Sequence, residues 1–338
     1  MKKFILNILL CIFIISLLIF SKGNILAARN GLALWANSVV PTLFPFFVAI
    51  ELLNHTNIPH YIGKLLNAFM KPLFNVPGIG AYIFTMGLIS GYPTGAKLIR
   101  KYRNQNLLTK VESERLITFS NNSGMLFIIG TVGITMFQNN NIGILLLITH
   151  ILSCISVGII FRFWNSKKKS YNNKIYYKEI DNNNSNILYT SITNAINTCL
   201  TIGGFIVLFS IITSILKSYN ILNIASNILL PFLKPLGIDY KYYIGIISGI
   251  LEITNGIAII SNISNKLLST NIILVAFLLG VGGISVAIQI YTVIQDTDIS
   301  IVPYILGKFL QGILASIYTY LFIKFLPFFN YDLINIIW

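Results

Sequence analysis

Apolar stretches of about membrane-spanning length recur along the whole chain and determine its solvent. A transmembrane helix needs about 20 consecutive, mostly apolar residues. Seven stretches meet or approach that length: 4–20, 31–54, 117–138, 142–163, 190–216, 271–294 and 302–327. Only 10% of the 338 residues are charged, whereas soluble domains carry about 25%. The chain is therefore predicted to be an all-α polytopic membrane protein.

Two further apolar stretches, 79–96 and 242–261, are interrupted by residues that favour turns. Residues 90–95 read Ser-Gly-Tyr-Pro-Thr-Gly, and residues 252–256 read Glu-Ile-Thr-Asn-Gly. Irregular backbone at membrane depth is stable only where protein or a water-filled cavity satisfies its amide groups. These two stretches are predicted to be re-entrant hairpins, which enter and leave the bilayer on the same side.

The distribution of Lys and Arg predicts the orientation, because short cytoplasmic loops carry the excess of positive charge. Residues 55–78 and 97–116 are both basic, and the polar segment 165–186 is rich in Lys and Asn. Residues 138–141 have no charge. The three basic segments are predicted to be cytoplasmic, which requires 79–96 to return to its own side.

The N-terminus is typical of both a signal peptide and a first membrane span. Lys2 and Lys3 precede the apolar stretch 4–20, and residues 25–28 (Ile-Leu-Ala-Ala) form a weak cleavage site. The apolar region of a signal peptide usually has about 7–15 residues. Because 4–20 is longer, an uncleaved first span is favoured.

An internal repeat relates the two halves of the chain. Residues 87–91 (Gly-Leu-Ile-Ser-Gly) match residues 245–249 (Gly-Ile-Ile-Ser-Gly), and the same offset relates Gly124 to Gly282. Each copy contains three crossings and one hairpin, so the second copy is predicted to be inverted relative to the first. Inverted repeats with broken helices that meet near the bilayer midplane are the architecture of many secondary transporters.

The repeat divides the chain into five predicted segments. They are an N-terminal span with a short loop, a first repeat, a basic polar linker, a second repeat and a C-terminal tail: 1–30, 31–164, 165–189, 190–327 and 328–338. In this arrangement Asp296 and Asp298 lie in a cytoplasmic turn, while Lys217, Lys234, Lys241 and Lys266 lie outside. The second half therefore fits the positive-inside tendency less well than the first.

Polar breaks recur in matching pairs, as two hairpin tips and two unwound helices: 90–95, 121–124, 248–256 and 280–285. Half-helices at such breaks expose N–H groups at the positive end of the helix dipole, where an anion is stabilised. Asn and Ser side chains add neutral donors and acceptors. The predicted substrate-binding residues are Ser90, Gly91, Tyr92, Pro93, Thr94, Gly95, Lys97, Asn121, Asn122, Ser123, Ser248, Glu252, Thr254, Asn255, Gly283 and Ser285.

The charged residues near these breaks receive different interpretations. Ionisable residues at membrane depth are costly and are functional candidates by default. Glu252, at the second hairpin tip, is placed to meet a coupling cation or a ligand donor. Lys97, one turn beyond the first tip, either reaches an acidic ligand or anchors the cytoplasmic side. Glu51 is interpreted as interfacial, and the roles of Gln289 and Gln295 stay open.

Two of the breaks also have structural interpretations. Gly91 and Gly95 form a small-x-x-x-small pattern that is typical of helix packing, although Pro93 between them favours a break. Residues 121–123 (Asn-Asn-Ser) are also compatible with a helix start that has Asn as its N-cap.

Cysteine and histidine give no sign of metal or redox chemistry. The cysteines lie in apolar runs without C-x-x-C spacing and are predicted to be small core residues: Cys11, Cys154 and Cys199. The histidines lack metal-ligand spacing and are predicted to be interfacial: His55, His60 and His150. No catalytic motif is found, so neither an enzyme nor a cofactor is expected. A nucleic-acid partner is not expected because 55% of the residues are hydrophobic despite the net positive charge. A coupling ion, H⁺ or Na⁺, is left open.

Three motifs resemble the YlbJ/SpoVV family of sporulation integral membrane proteins. They are residues 41–47 (Pro-Thr-Leu-Phe-Pro-Phe-Phe), 87–97 (Gly-Leu-Ile-Ser-Gly-Tyr-Pro-Thr-Gly-Ala-Lys) and 120–124 (Ser-Asn-Asn-Ser-Gly). The resemblance covers residues 30–327 and extends to the nucleoside-recognition (Gate) group, which is similar to concentrative nucleoside transporters. It implies two re-entrant hairpins and two unwound helices around a central site. The second half diverges, since its tip has no Tyr-Pro-Thr.

The resemblance also implies a cargo, dipicolinic acid, which is moved from the mother cell across the outer forespore membrane. Dipicolinate is a small, flat dianion. Half-helix N-termini with Lys97 or Arg100 are suited to its carboxylates, and Tyr92 is suited to stack on its ring. The alternatives are a transporter of nucleosides or other small solutes, and a non-transporting sporulation scaffold that docks partners through 165–186. Homo-oligomerisation and sporulation membrane partners are left open.

Overall fold

A computed structural model describes residues 2–53, 55–165, 186–263 and 268–325. All regular secondary structure within these ranges is helical, as the sequence predicts. The predicted tail 328–338, most of the linker 165–189 and Lys266 lie outside the described residues.

The first half consists of eight α-helices and two π-helical segments. In chain order they are α1 (Lys2–Ile19), α2 (Ser21–Leu34), π1 (Trp35–Val39), α3 (Val40–Leu53), α4 (Ile58–Phe74), α5 (Ile79–Ser90), α6 (Thr94–Asn104), α7 (Lys110–Phe119), π2 (Phe127–Met136) and α8 (Asn140–Phe161).

The second half repeats the order of the elements that follow α1. It contains α9 (Ile187–Ser218), α10 (Ile221–Leu233), a short 3₁₀ turn (Lys234–Leu236), α11 (Lys241–Leu251), α12 (Ile253–Ser261), α13 (Leu268–Val281), α14 (Gly283–Ile294) and α15 (Val302–Phe325). Each half therefore has a long helix, a short amphipathic helix, a helical hairpin, a broken helix and a final long helix. This correspondence matches the repeat predicted from the sequence.

Both hairpins have glycines that face nearby backbone. In α11–α12, a Cβ atom on Gly256 would fall on the backbone of Gly249, within the hairpin. In α5–α6, Cβ atoms on Gly87 or Gly95 would instead fall on the backbone of Ser120, which lies outside the hairpin. Glycine allows such backbones to approach more closely than any other residue does. The hairpins are consistent with the predicted re-entrant segments.

The two broken helices exchange partners between the halves. One apolar core combines α5, α6 and α7 with α14, through Val286, Ile290 and Ile294. The other combines α11, α12 and α13 with π2, through Ile128 and Val132. The second segment of each broken helix thus packs on the hairpin of the other repeat, which ties the halves into one structure.

A third apolar cluster joins the long helices of the two halves. Leu43 and Phe47 of α3 pack against Cys199 and Ile206 of α9. At π1 the Val40 N–H donates to the Trp35 carbonyl five residues back. Pro41 has no N–H for the ordinary α-helical bond, which accounts for the wider turn at this point. The Trp35 indole N–H then donates to the Cys199 carbonyl at 3.0 Å.

The N-terminal region differs from the prediction. Residues 21–30, predicted to be a short loop, belong to α2, which continues through π1 into α3. The axis of Leu10–Ile19 lies 98° from that of Ser21–Asn37, so the two helices are not an antiparallel pair of crossings. Among the described residues, four helices are long and apolar enough to span a membrane, or six when each sharply bent pair counts as one span.

Two ion pairs place the acidic turn of the second half beside the basic loop of the first. Arg100 binds Asp296 at 3.1 Å, and Arg103 binds Asp298 at 3.0 Å. The sequence predicts both segments on the cytoplasmic side, and these contacts put them on one face. The charges of the acidic turn are thereby matched by the arginines at the end of α6.

Candidate functional site

A single cleft of about 550 Å³ is lined by all four helix breaks. Hairpin α5–α6 contributes Gly91 and Tyr92, and hairpin α11–α12 contributes Glu252. The unwound segments contribute Ser123 before π2 and Ser285 at the start of α14. Residues far apart in the sequence are thus brought together at the centre of the repeat.

The lining of the cleft is partly polar and partly apolar. Backbone breaks and hydroxyl groups form the polar lining, to which Gln289 also contributes. The apolar lining includes aliphatic and aromatic side chains: Val39, Leu43, Phe127, Ile202, Phe205 and Ile206. Ligand sites commonly combine mainly apolar walls with a few oriented polar groups. The lining of this cleft has that composition.

Glycines let the first hairpin tip fit against the first unwound segment. Gly91 has a φ of +80°, and a Cβ at this position would lie 2.6 Å from the Gly124 nitrogen. Cβ atoms on Gly87 or Gly95 would fall on the carbonyl oxygen of Ser120. The Gly91 and Gly95 pair thus serves close packing as well as the break.

Asn121 caps α6, although in the sequence it precedes π2. Its Oδ1 accepts a hydrogen bond from the Ala96 N–H at 3.3 Å, in the first turn of α6. The first unwound segment therefore satisfies an N–H group that α6 cannot satisfy within itself. Asn121 thus links the unwound segment 121–124 to the tip of the first hairpin. Its side chain caps α6, whereas the sequence was also compatible with Asn121 as the N-cap of the helix that follows it.

Glu252 occupies the N-terminus of α12 with its own carboxylate. Its Oε1 accepts from the Thr254 N–H at 3.1 Å, and its Oε2 accepts from the Asn255 N–H at 2.8 Å. The side chain is only 2% exposed. An acidic N-cap satisfies two orphan N–H groups and interacts favourably with the helix dipole. This half-helix end is thus already occupied, and the cleft has one built-in negative group.

Lys308, which was not among the residues predicted from the sequence, is buried in the first half of α15. Its exposed fraction is 2%. The ammonium group donates to Asn122 Oδ1 at 3.0 Å and to Gln311 Oε1 at 2.7 Å, and it lies 5.4 Å from the centroid of the Tyr92 ring. These are neutral partners, and within the described ranges no carboxylate forms an ion pair with it. Tyr92 therefore contacts both the cleft and a buried cation.

The polar network behind Tyr92 continues into α8. Gln311 Nε2 lies 3.3 Å from His150 Nε2 and donates to Cys154 Sγ at 2.9 Å. Cys154 Sγ donates in turn to Asn122 Oδ1 at 3.1 Å. His150 is 1% exposed, so its predicted interfacial position is wrong. An isolated lysine within the apolar stretch 302–327, three residues before a glutamine, was the available signal for this network.

The remaining predicted site residues lie around the cleft. Ser90 and Thr254 line it, whereas Pro93, Gly95, Asn121, Asn122, Ser248, Asn255 and Gly283 do not. The Asn255 amide donates to Ser210 Oγ at 3.1 Å, and a Cβ on Gly283 would lie 3.0 Å from the Gly249 carbonyl oxygen. These residues support the breaks rather than face the cleft.

Lys97 and Thr94 face a different cavity. This second cavity, of about 500 Å³, is lined by α3, α6 and α9 and includes Glu51 and Lys101. Lys97 Nζ donates to Thr198 Oγ1 at 2.5 Å. Glu51, predicted to be interfacial, shares the cavity with two lysines.

Comparison with known proteins identifies the family. The nucleoside recognition (Gate) family matches residues 36–202 and 199–297. The sporulation integral membrane protein YlbJ of Bacillus subtilis (strain 168) is 34% identical over 315 residues, which cover 88% of this chain and 77% of that protein. The chain belongs to the YlbJ family of Gate-domain sporulation membrane proteins. No solved structure matches it.

Together the Gate matches cover the first repeat from residue 36 onward and the second repeat as far as residue 297. The first match ends, and the second begins, within α9. All four breaks lie inside the matched residues, whereas Lys308 lies beyond them. The helix that supplies the buried cation is therefore contributed from outside the Gate match.

Proposed function

We propose that the protein transports a small dianion, dipicolinate, across the outer forespore membrane of a sporulating cell. The observation that carries this proposal is the convergence of four helix breaks, two from each inverted repeat, on one cleft in a membrane protein. Paired broken helices around a central site are typical of secondary transporters. The name of the Bacillus relative supports the sporulation context.

Lys308, which lies behind Tyr92, favours an anion with an aromatic ring, although Glu252 places one carboxylate in the cleft itself. Lys308 supplies a positive charge behind Tyr92, and the hydroxyl and backbone groups of the polar lining supply donors. Electrostatic interactions are stronger in a low-dielectric interior than in water. The apolar lining and the Tyr92 ring suit a flat pyridine ring, while the carboxylates of dipicolinate would face the donors.

A nucleoside is the second candidate cargo, because the matching family is described as nucleoside recognition. Nucleosides also combine a flat ring with hydroxyl groups. They have no charge, however, that Lys308 would compensate. The buried cation therefore favours the dianion.

Uptake by proteoliposomes tests the proposal. Purified protein should give saturable uptake of labelled dipicolinate that excess unlabelled dipicolinate abolishes and excess uridine leaves unchanged. Tyr92→Ala should reduce this uptake strongly, because it removes the ring between the cleft and Lys308. Tyr320→Ala is the matched control, since Tyr320 lies beside Lys324 on the exposed part of the same helix α15.

The other outcomes distinguish the alternatives. Uptake of uridine in place of dipicolinate would establish the nucleoside function. Folded wild-type protein that takes up neither compound would overturn the transport proposal. Loss of sporulation on deletion of residues 166–185, with no effect of Tyr92→Ala, would then support the scaffold function.

A further inference from the structure

The second cavity continues the central cleft along the same three elements. On α3, Leu43 lines the cleft and Phe47 lines the cavity. On α9, Ile202 lines the cleft and Thr198 lines the cavity. Four residues of a helix correspond to a rise of about 6 Å. The two spaces therefore lie about one helical turn apart in one corridor.

The first hairpin gives the direction of this corridor. Tyr92 at the tip lines the cleft, and Thr94, Lys97 and Lys101 on α6 line the cavity. Helix α6 then ends near the arginines that bind Asp296 and Asp298. The second cavity thus lies between the central cleft and the basic face, which the positive-inside tendency assigns to the cytoplasm.

The cavity carries an excess of positive charge. Lys97 and Lys101 are one turn apart on α6, and Glu51 supplies one carboxylate. Neither lysine forms an ion pair in the part of the chain that the structure describes, whereas Arg100 and Arg103 on the same helix are both paired. Lys97 donates to a threonine hydroxyl, which leaves two of its three N–H donors for a ligand.

The neutral groups of the cavity complete a site for an anion. Thr94 and Thr198 provide hydroxyl groups beside the two ammonium groups, and Phe47 and Ile50 provide an apolar surface. The Thr198 hydroxyl donates to the Asn194 carbonyl at 2.8 Å, so its oxygen is oriented to accept from Lys97. The Glu51 carboxylate accepts from Asn194 Nδ2 at 3.4 Å. Glu51 is thereby held at the edge of the cavity.

We propose that this cavity is a vestibule site that binds an aromatic dicarboxylate at the cytoplasmic side before it moves to the central cleft. The proposal rests on the proposed transport function. One carboxylate pairs with each lysine, and Glu51 weakens the binding so that the ligand moves on. Two fixed charges of one sign near a mouth also raise the local concentration of the opposite ion.

The test compares uptake kinetics from the cytoplasmic side. In Lys97→Met/Lys101→Met, the KM for dipicolinate should rise about tenfold, and the dependence of KM on salt should flatten, because the attracting charges are lost. Vmax should change less than about twofold, since the central cleft is unaltered. Glu51→Gln should lower KM, and Lys97→Arg/Lys101→Arg should restore the wild-type value.

The matched control is Lys64→Met/Lys71→Met, which removes two charges from exposed positions on α4 without touching the cavity. Its KM should equal that of wild type. An unchanged KM in the Lys97/Lys101 variant, while wild type transports, would overturn the vestibule site and leave the transport function intact. Loss of uptake by wild type itself would instead overturn the transport function. Size-exclusion profiles identify variants that fail to fold. If the Lys97→Met/Lys101→Met variant fails, the KM values of Lys97→Arg/Lys101→Arg and Glu51→Gln test the vestibule site instead.

Discussion

At the scale of single residues, the burial of Lys308 is electrostatically costly, because its ammonium group lies among neutral groups. Transfer of a charge out of water costs several kcal/mol. The amide oxygens of Asn122 and Gln311 and the face of Tyr92 offset part of that cost. They do not cancel the charge. An anion in the adjacent cleft would gain most from this remaining positive potential.

Replacement of Lys308 by methionine should weaken dipicolinate binding. Two unit charges about 8 Å apart at an effective dielectric of about 20 attract by ~2 kcal/mol, so we expect the Kd to rise at least tenfold. The measurement is calorimetric titration of the protein in nanodiscs. Lys324→Met is the control, because Lys324 lies in the last turn of α15 beside two aromatic rings. Equal Kd values for Lys308→Met and wild type would remove Lys308 from the binding mechanism.

Glu252→Gln should act in the opposite direction. Its carboxylate lies in the cleft and repels a dianion, while a glutamine oxygen can still cap α12. We expect a several-fold lower Kd for dipicolinate and a loss of about 1 kcal/mol of stability, typical of a weakened N-cap. Thermal melts and titrations of the same sample measure both quantities. Weaker binding by this variant would mean that the carboxylate contacts the ligand favourably.

At the scale of secondary-structure elements, glycines determine how closely the hairpins and unwound segments fit together. Gly87 and Gly95 both face the carbonyl of Ser120, which directly precedes the unwound segment 121–124. Gly256 faces Gly249 within the second hairpin. The tips reach the centre of the protein because these positions have no Cβ. Larger residues would displace the tips and change the shape of the cleft.

Gly87→Ala should therefore be strongly destabilising. The added methyl group collides with a backbone oxygen, which cannot move as a flexible side chain can, and we expect a cost of about 3 kcal/mol or more. Gly204→Ala in α9 is the matched control, because nothing lies within 4 Å of its Cβ position. The control should be neutral or slightly stabilising. Fluorescence-detected thermal unfolding in detergent compares them, and equal stability would contradict the close approach.

Much of this arrangement of elements was predictable from the sequence. Glycine or proline marks both hairpin tips, and glycine marks both unwound segments. The repeat predicted the matching order of elements. The exchange of π2 and α14 between repeats was not predictable, because apolar residues in these segments specify burial but not the partner. Lys308 was missed for a related reason: the apolar stretch 302–327 predicted a span, but not which of its residues face the site.

At the scale of the whole molecule, contacts between the repeats hold the inverted halves in register. The ends of α6 and α14 meet through the ion pairs of Arg100 and Arg103 with the acidic turn. On the other side, Phe137 after π2 packs in the core that contains Ile260 of α12. The first junction joins α6 of the first repeat to α14 of the second, and the other joins α12 of the second repeat to π2 of the first. Since α6 corresponds to α12 and π2 to α14, the two junctions are equivalent. This is the relation expected of a pseudo-two-fold axis in the membrane plane.

The ion pair of Arg103 and Asp298 should make this junction sensitive to acid. The hydrogen bonds from Arg103 hold the pKa of Asp298 below its usual range. The stabilisation is therefore complete above the unfolded pKa of about 3.9 and is lost as the pH falls through the lower, folded pKa. Asp298 is half exposed, so the gain is at most about 1 kcal/mol. The Tm difference between wild type and Asp298→Asn should be present at pH 6 and vanish below pH ~3.

The inverted topology predicts which loops face the cytoplasm. Gln105, after α6, and Gln295, after α14, lie at the junction of the ion pairs, whereas Gln138 and Asn220 lie at the opposite helix ends. A Cys11→Ser variant provides the background, because the other two cysteines are buried. Single cysteines at positions 105 and 295 should react with an impermeant maleimide from one side of the membrane, and those at positions 138 and 220 from the other side. Labelling of Gln105→Cys and Gln295→Cys from different sides would contradict the inverted repeat. If Gln105→Cys and Gln295→Cys both react only from outside, the orientation is opposite to the predicted one. The vestibule site would then face away from the mother cell, from which the cargo comes.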